Sequence, residues 1–335
     1  MDCQRRIAFI SEHASPLALL GGADAGGQNV YVDELSRHVA DLGCAVDIFT
    51  RRDTADQPEV VTWAPGVRVV HLLAGPAAFL PKDDLWRYMP AFRDAMLRFI
   101  WRERRRYDLL HGHFWMSGWV AAELRRALHI PAVQIFHALG TTKQRYQGAA
   151  DTSPADRIAT ERRIVREMDR IIAQCPHERQ ELLADYGAAS ERLTIIPGGV
   201  NLRRFRPVPR EIARRRSGLA PGEDEFVVVY VGRMLPRKDV RNVVRAVALL
   251  AGRTPMPVRL LVVGGESADP DPRATPEIGE VQALAAALGI ADRVTCTGQR
   301  QPDDLCYYYG AGDVAVTTPW YEPFGLTPLE AMACG

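Results

Sequence analysis

The residues with the clearest chemical potential lie in EPFGLTPLEAMACG, residues 322–335. Glu322 and Glu330 are separated by seven residues. Pro323 biases Glu322 toward extended backbone, and Gly325 lets the chain approach a ligand closely. Thr327, Pro328 and Glu330 predict a helix start, with Thr327 as N-cap, Pro328 first in the helix and Glu330 three residues after the cap. A loop entering a helix in this way turns free N–H groups toward a pocket and suits a phosphate. A capping carboxylate, worth about 1 kcal/mol, would by itself account for Glu330. A solvated loop carboxylate would account for Glu322.

A second group is cationic. Arg233 and Lys238 bracket the loop GRMLPRK, directly after the apolar run FVVVYVG. Two cations at the carboxyl end of a strand can hold a diphosphate and stabilise it as a leaving group. A solvated turn is the plain alternative, and Arg237 is an extra cation without an assigned role. Near the amino end, Gly21, Gly22, Gly26 and Gly27 sit between a first strand and a helix beginning near Asn29. Such a loop can wrap an anion at a helix N-terminus. Its spacing is not G-x-G-x-x-G, and the second strand ends in Thr50-Arg51-Arg52, with no acidic residue. Both points count against a nicotinamide oxidoreductase.

Metal chemistry finds little footing. His111 and His113 project to one face of a strand and could be half a metal site. No Cys or carboxylate nearby in sequence completes it, so they read as a polar lining or a core pair. Asp269-Pro270-Asp271 matches a metal-binding D-x-D only as a string, in a proline-rich loop. Six cysteines stand singly at 3, 44, 175, 296, 306 and 334, suggesting neither a zinc site nor a disulfide framework.

With its intervening PFGLTPL, the Glu322–Glu330 motif resembles the donor-site signature of retaining, family-four (group 1) nucleotide-sugar glycosyltransferases of the two-domain GT-B fold. GGADAGGQNVYVDELSRHVADLG further resembles the matching segment of sucrose-phosphate synthases and of the inositol-phosphate N-acetylglucosaminyltransferases of mycothiol synthesis. The resemblance implies that Glu322 contacts the transferred sugar and Glu330 the ribose, with Phe324, Gly325 and Leu326 lining the donor. It implies donor phosphates near Gly26 and Gly27, gripped by Arg233 and Lys238. It places His137, in HALG, at the reaction centre, and an acceptor against Asn29, Lys82, Lys143 and Arg157, the last three binding its phosphate. Two departures stand out: Ala138 where the family often has a hydroxyl residue, and Phe114 where it has Tyr. The implied reaction needs no metal or other cofactor.

These residues need strands to present them. Apolar runs and helical periodicities alternate throughout, which predicts parallel sheets covered on both faces. Strands are expected at Ile7–Ile10, Ala45–Arg51, Val67–Leu73, Asp108–His113, Ala132–His137, Arg170–Gln174 and Leu193–Pro197. Helices are expected over 29–42, 85–105, 115–128, 154–168 and 176–186. After a proline-, glycine- and arginine-rich break, alternation resumes at Phe226. The expectation is α/β, two Rossmann-like domains: residues 1–197 on the acceptor side, a linker over 198–225, and a nucleotide-sugar domain over 226–335. The chain stops within or just after the helix of its best motif, so the second domain is expected to be C-terminally truncated.

The 335 residues, 47% hydrophobic and 25% charged, carry a net charge of +1, which makes no case for nucleic acid. The arginine runs 102–106 and 203–216 could touch an anionic membrane, but solvated helix ends and a linker explain them as well. No signal peptide or transmembrane run is visible, and a cytoplasmic setting fits. The expected function is retaining transfer of a hexosyl unit, UDP-glucose being the type of donor, to a sugar, sugar-phosphate or related hydroxyl. The alternative is an inactive sugar-nucleotide-binding or regulatory fragment.

Overall fold

The computed structural model describes residues 5–18, 26–218 and 225–335. These residues form two compact units that divide between Gly198 and Gly199. Gly21 and Gly22 lie outside the described residues.

The first unit contains β1 (Arg6–Ile10), α1 (Gly27–Asp41), β2 (Ala45–Arg51), β3 (Val60–Ala64), β4 (Val67–Leu72), α2 (Met89–Arg102) and β5 (Leu109–His113). It continues with α3 (Trp115–Leu128), β6 (Ala132–Ile135), α4 (Gly140–Gln147), α5 (Arg157–Glu167), β7 (Arg170–Ala173), α6 (Pro176–Tyr186) and β8 (Leu193–Ile195). The strands form one sheet in the order β3-β4-β2-β1-β5-β6-β7-β8. All pairings are parallel except the β3–β4 hairpin, whose outer strand is not anticipated by the sequence pattern. Successive residues feed opposite cores. Phe9 and Ile48 pack with Val32 of α1, while Ile10 and Phe49 pack with Phe92, Phe99 and Trp115. Burial on both faces is why these strands read as continuous apolar runs.

The order reverses around β1, between β2 and β5. Loops leaving the carboxyl ends of β1, β5 and β6 therefore gather at a topological switch point, where open parallel sheets bind ligands. The helix expected over 85–105 starts later: residues 82–88 form a tight 3₁₀ turn, and α2 begins at Met89, with Pro90 in its first turn.

The second unit contains α7 (Arg210–Arg216), β9 (Phe226–Val231), α8 (Val240–Ala251), β10 (Val258–Val263), α9 (Pro276–Ala287), β11 (Val294–Cys296), α10 (Leu305–Ala311), β12 (Val314–Ala315) and α11 (Leu326–Cys334). Its parallel sheet runs β11-β10-β9-β12. The stretch expected as a linker is partly an element of this unit. Ala213 of α7 is fully buried with Val227, Val229 and Leu261. Arg210 lies 2.6 Å from Asp313, and Arg214 donates to the Glu225 carbonyl at 3.1 Å. Its arginines read as solvent-facing in the sequence because one small buried residue leaves almost no periodic signal.

The carboxyl ends of β9 and β10 come very close. A Cβ on Gly264, at φ 149°, would fall 2.0 Å from the Gly232 carbonyl oxygen. Only glycine there lets the loop after β9 leave the sheet next to β10.

Candidate active site

In the first unit, the carboxyl end of β5 and the loop after β6 carry a file of imidazoles. His111 and His113 have ring centroids 4.2 Å apart, and His113 stacks on His137 at 5.5 Å. His113 Nδ1 and His137 Nε2 are 3.2 Å apart. Tyr31 of α1 closes the group, edge-on to His137 at 5.0 Å. Burial pushes His111 down to about 4 and His137 down to about 3, the latter helped by His111 and His13, and holds His113 well below the usual range. All three are neutral at pH 7, so they act as hydrogen-bonding groups, not cations.

Two turns here are strained. Phe114 has φ 78° and His137 has φ 60°, left-handed values that cost a bulky residue about 1–3 kcal/mol each. The Gln134 amide holds the first by donating to the Phe114 carbonyl at 3.0 Å. Such strain persists where surrounding packing over-determines it, and it collects at functional sites.

Beside them, Glu12 is buried after β1 and bridges two partners. Ser117 of α3 donates to one carboxylate oxygen, and His13 Nδ1 lies 2.7 Å from the other. The His13 ring meets the Phe114 ring edge-on at 5.0 Å. Glu178, in the first turn of α6, is also buried. One oxygen accepts the Gln174 N–H at 2.6 Å, the other has no hydrogen-bond partner, and burial pushes the carboxyl up to about 7. Burial, then the charge of Glu178, raises Tyr31 to about 12.

Lys82, Lys143 and Arg157 do converge. Lys82 Nζ lies 5.6 Å and Arg157 Cζ 5.0 Å from the Phe114 ring centroid. Lys143 Nζ donates to Ser153 Oγ at 2.9 Å, and Arg157 Nη1 donates to the same oxygen at 3.1 Å. Arg157 is only 2% exposed, paired to Glu161 at 2.9 Å, and it donates to the Ala138 carbonyl at 2.7 Å. Glu161 also accepts from the Gly140 N–H and from the Tyr186 hydroxyl at 2.6 Å. This network anchors the turn that carries His137.

Asn29 is differently employed. It is 2% exposed, its amide oxygen accepts the Gly26 N–H at 2.9 Å, and its amide nitrogen donates to the Ser15 carbonyl at 2.9 Å. It braces the start of α1, and it occupies the Gly26 N–H. Gly27 is the first residue of that helix.

In the second unit, the loop after β9 forms a 3₁₀ turn, Pro236–Lys238, ahead of α8. Lys238 forms an ion pair with Glu322. Burial lowers the Lys238 pKa; Glu322 opposes this, while Arg237 and Arg233 reinforce it. The Arg237 guanidinium lies 5.3 Å from the Tyr321 ring centroid, and its buried Nη1 has no hydrogen-bond partner. The Trp320 N–H donates to the Arg237 carbonyl at 2.9 Å, tying the two loops together.

The helix after the motif begins at Leu326, not after Thr327. Gly325, at φ 88°, is the N-cap, no side chain caps the helix, and Pro328 lies within the first turn. Glu330 is therefore no capping-box residue. It accepts a 2.8 Å hydrogen bond from the Tyr309 hydroxyl, and burial raises its carboxyl above the usual range. Phe324 and Leu326 are half-buried beside it in sequence. Asp269 and Asp271 form a local turn, with the Arg273 N–H on Asp271 at 2.8 Å. Among the described residues, no group of three or more His, Cys, Asp and Glu is placed to hold a metal ion. None of their helices is long and apolar enough to cross a membrane.

Sequence reasoning missed Glu12, His13, Glu178 and Tyr309. The His13-flanking Glu12 carried a usable signal, an acidic residue directly at the end of the first strand. The partner of Glu330 lies on another helix and left none.

Residues 25–204 match Glycosyltransferase Family 4, and residues 211–335 match Glycosyl transferases group 1. D-inositol 3-phosphate glycosyltransferase 2 of Catenulispora acidiphila is 40% identical over 99% of this chain and 77% of its own length. Sucrose-phosphate synthase from Thermosynechococcus elongatus superposes with a TM-score of 0.87 at 34% identity, over 99% of this chain and 80% of that one. Anabaena HepE, in complex with UDP and glucose, superposes with a TM-score of 0.70 over 99% of this chain and 79% of that one; at 19% identity it speaks for the fold alone.

Proposed function

This chain belongs to the group 1 glycosyltransferases and has their two-domain α/β GT-B fold, and from that premise we propose that it moves a hexosyl unit from a nucleoside diphosphate sugar to a carbohydrate hydroxyl with retention of configuration. The donor in this reading is a UDP-sugar. The relatives' name, D-inositol 3-phosphate glycosyltransferase, suggests acceptors of the sugar or sugar-phosphate kind.

The observation that carries the reading is the Lys238 loop. Lys238 is held at the carboxyl end of β9 by Glu322; burial lowers its pKa against that pairing, and the crowding of Arg237 and Arg233 adds to the effect of burial. A diphosphate would relieve that crowding, and the cations would stabilise it as it leaves. The bond from the anomeric carbon to the diphosphate breaks, and its electron pair goes to the departing oxygen. The acceptor oxygen bonds to that carbon from the same face, and its proton passes to the departing phosphate. Glu322 meets the sugar, and the free oxygen of Glu330 meets the ribose. The neutral His137 offers a hydrogen bond to the sugar. No metal is required by these groups.

UDP should raise the melting temperature of the protein, and Lys238→Ala should remove that shift. Equal shifts in both proteins would sink the assignment. Transfer should survive EDTA; activity lost to EDTA and restored by Mn²⁺ or Mg²⁺ would refute the metal-free reading.

A further inference from the structure

We propose that the acceptor-side pocket of the first unit takes an uncharged sugar or polyol and discriminates against its phosphorylated form. The proposal rests on the glycosyl-transfer reading and names the class of its acceptor. Lys82, Lys143 and Arg157 meet around Phe114 and Ser153, as they would in an anion site. Two of the three are already committed to carboxylates. Lys143 Nζ lies 2.9 Å from Asp151 Oδ1 and 3.8 Å from Asp83 Oδ2. Arg157 Nε lies 2.9 Å from Glu161 Oε1, and its other nitrogens are spent on Ser153 Oγ and the Ala138 carbonyl.

The pocket thus sets three carboxylates beside its three cations. Burial pushes the Asp151 carboxyl up, but the hydrogen bonds from Lys143 and Ser153 outweigh it, so Asp151 stays ionised. A phosphate monoester brings close to two further negative charges at neutral pH. It would either displace Asp151 from Lys143 or sit against it. The side chains of Phe114 and Ala138, beside these cations, are apolar and add no hydrogen-bond donor for a phosphate. An uncharged polyol meets the opposite situation. Asp83 and Asp151 keep 22% and 13% of their side chains exposed and can accept hydroxyl protons. Ser153 and the ammonium groups supply the complementary partners.

The test is calorimetric binding, with UDP present, of matched pairs: free sugars or polyols, myo-inositol included, and their monophosphates. At least one free member should bind, at least tenfold more tightly than its monophosphate. The Asp83→Asn/Asp151→Asn double variant should narrow that gap at least threefold by admitting the phosphate; Asp83→Asn alone serves if the double variant does not fold. Monophosphates that bind as well as or better than their free partners overturn the proposal, as does binding by no free member, or a gap that the variants leave unchanged. Nucleotide release from UDP-sugars without acceptor is measured separately. Its absence would count against glycosyl transfer, while the binding comparison still decides the acceptor class.

Discussion

The cations of the two units resemble each other in sequence and differ in their electrostatic state. In the first unit, Arg157 is 2% exposed and bound to Glu161, which itself holds the backbone of Gly140 and the hydroxyl of Tyr186. Lys143 is bound to Asp151. These charges are balanced by carboxylates within the fold. In the other unit, Lys238 has Glu322, but burial, reinforced by Arg237 and Arg233, still lowers its pKa. That loop carries positive charge against the cost of burial. The two sets of cations therefore differ in how far carboxylates balance them against the cost of burial.

The sharpest way to break this comparison is Lys238→Ala. In the proposed reaction it removes a charge from the leaving group, and transfer should fall by about 10²–10³-fold, the scale of losing one preorganised stabilising group. Thermal stability without donor should change little, since the variant also removes a buried charge that burial disfavours. A fall in activity under tenfold, or a collapse in stability, would place Lys238 with the structural cations.

Arg157→Ala should behave in the opposite way. It leaves Glu161 buried without its charge partner, a change that typically costs about 3–5 kcal/mol. Denaturant unfolding should show this loss directly. A variant that keeps its stability but loses only activity would move Arg157 to the ligand-binding class.

The line between the two classes was not legible in the sequence. The loops themselves were: GRMLPRK and EPFGLTPLE stand at strand ends and carry chemistry in adjacent residues. The alternation of strands and helices was legible because both sheets are covered on both faces. What decides the state of Lys143 and Arg157 is carboxylates, and Asp151 and Glu161 became partners only once α4 and α5 folded beside the HALG turn. Cations counted in the sequence come without the neighbours that balance them. Thr327 misled for a local reason. It has the right residue type for a cap, but Gly325 reaches the left-handed region two residues earlier and starts the helix there. The bracing contacts of Asn29 were not legible because its two partners, Gly26 and Ser15, are brought together only by the loop before α1.

A smaller effect comes from the imidazoles. His111 and His137 have folded pKa values of about 4 and about 3, below the 6.5 of an unperturbed histidine. Between those values the unfolded chain binds more protons than the fold does. Stability is therefore full above about pH 6.5 and falls as the pH drops toward the folded values, by up to about 1.4 kcal/mol per pH unit for each histidine. His137→Gln should flatten the decline between pH 6.5 and 4 in chemical denaturation. An unchanged slope would mean that His137 is not held neutral by burial.

Tyr309→Phe probes the second unit on the finest scale. The Tyr309 hydroxyl donates 2.8 Å to Glu330, whose carboxyl is raised by burial. Its removal leaves a largely buried carboxylate with one partner fewer, a loss of about 1–3 kcal/mol if nothing replaces it. Two consequences separate a structural role from a donor-binding one. If Glu330 meets the ribose, freeing it should weaken UDP binding severalfold, because the carboxylate is no longer aimed, while the rate of transfer at saturating donor stays near that of the parent. If Glu330 only ties α11 to α10, stability should fall and UDP affinity should not. The pair of measurements, donor affinity by calorimetry and unfolding in urea, therefore tells whether the carboxylate is one of the completed contacts of the fold or one that the ligand completes.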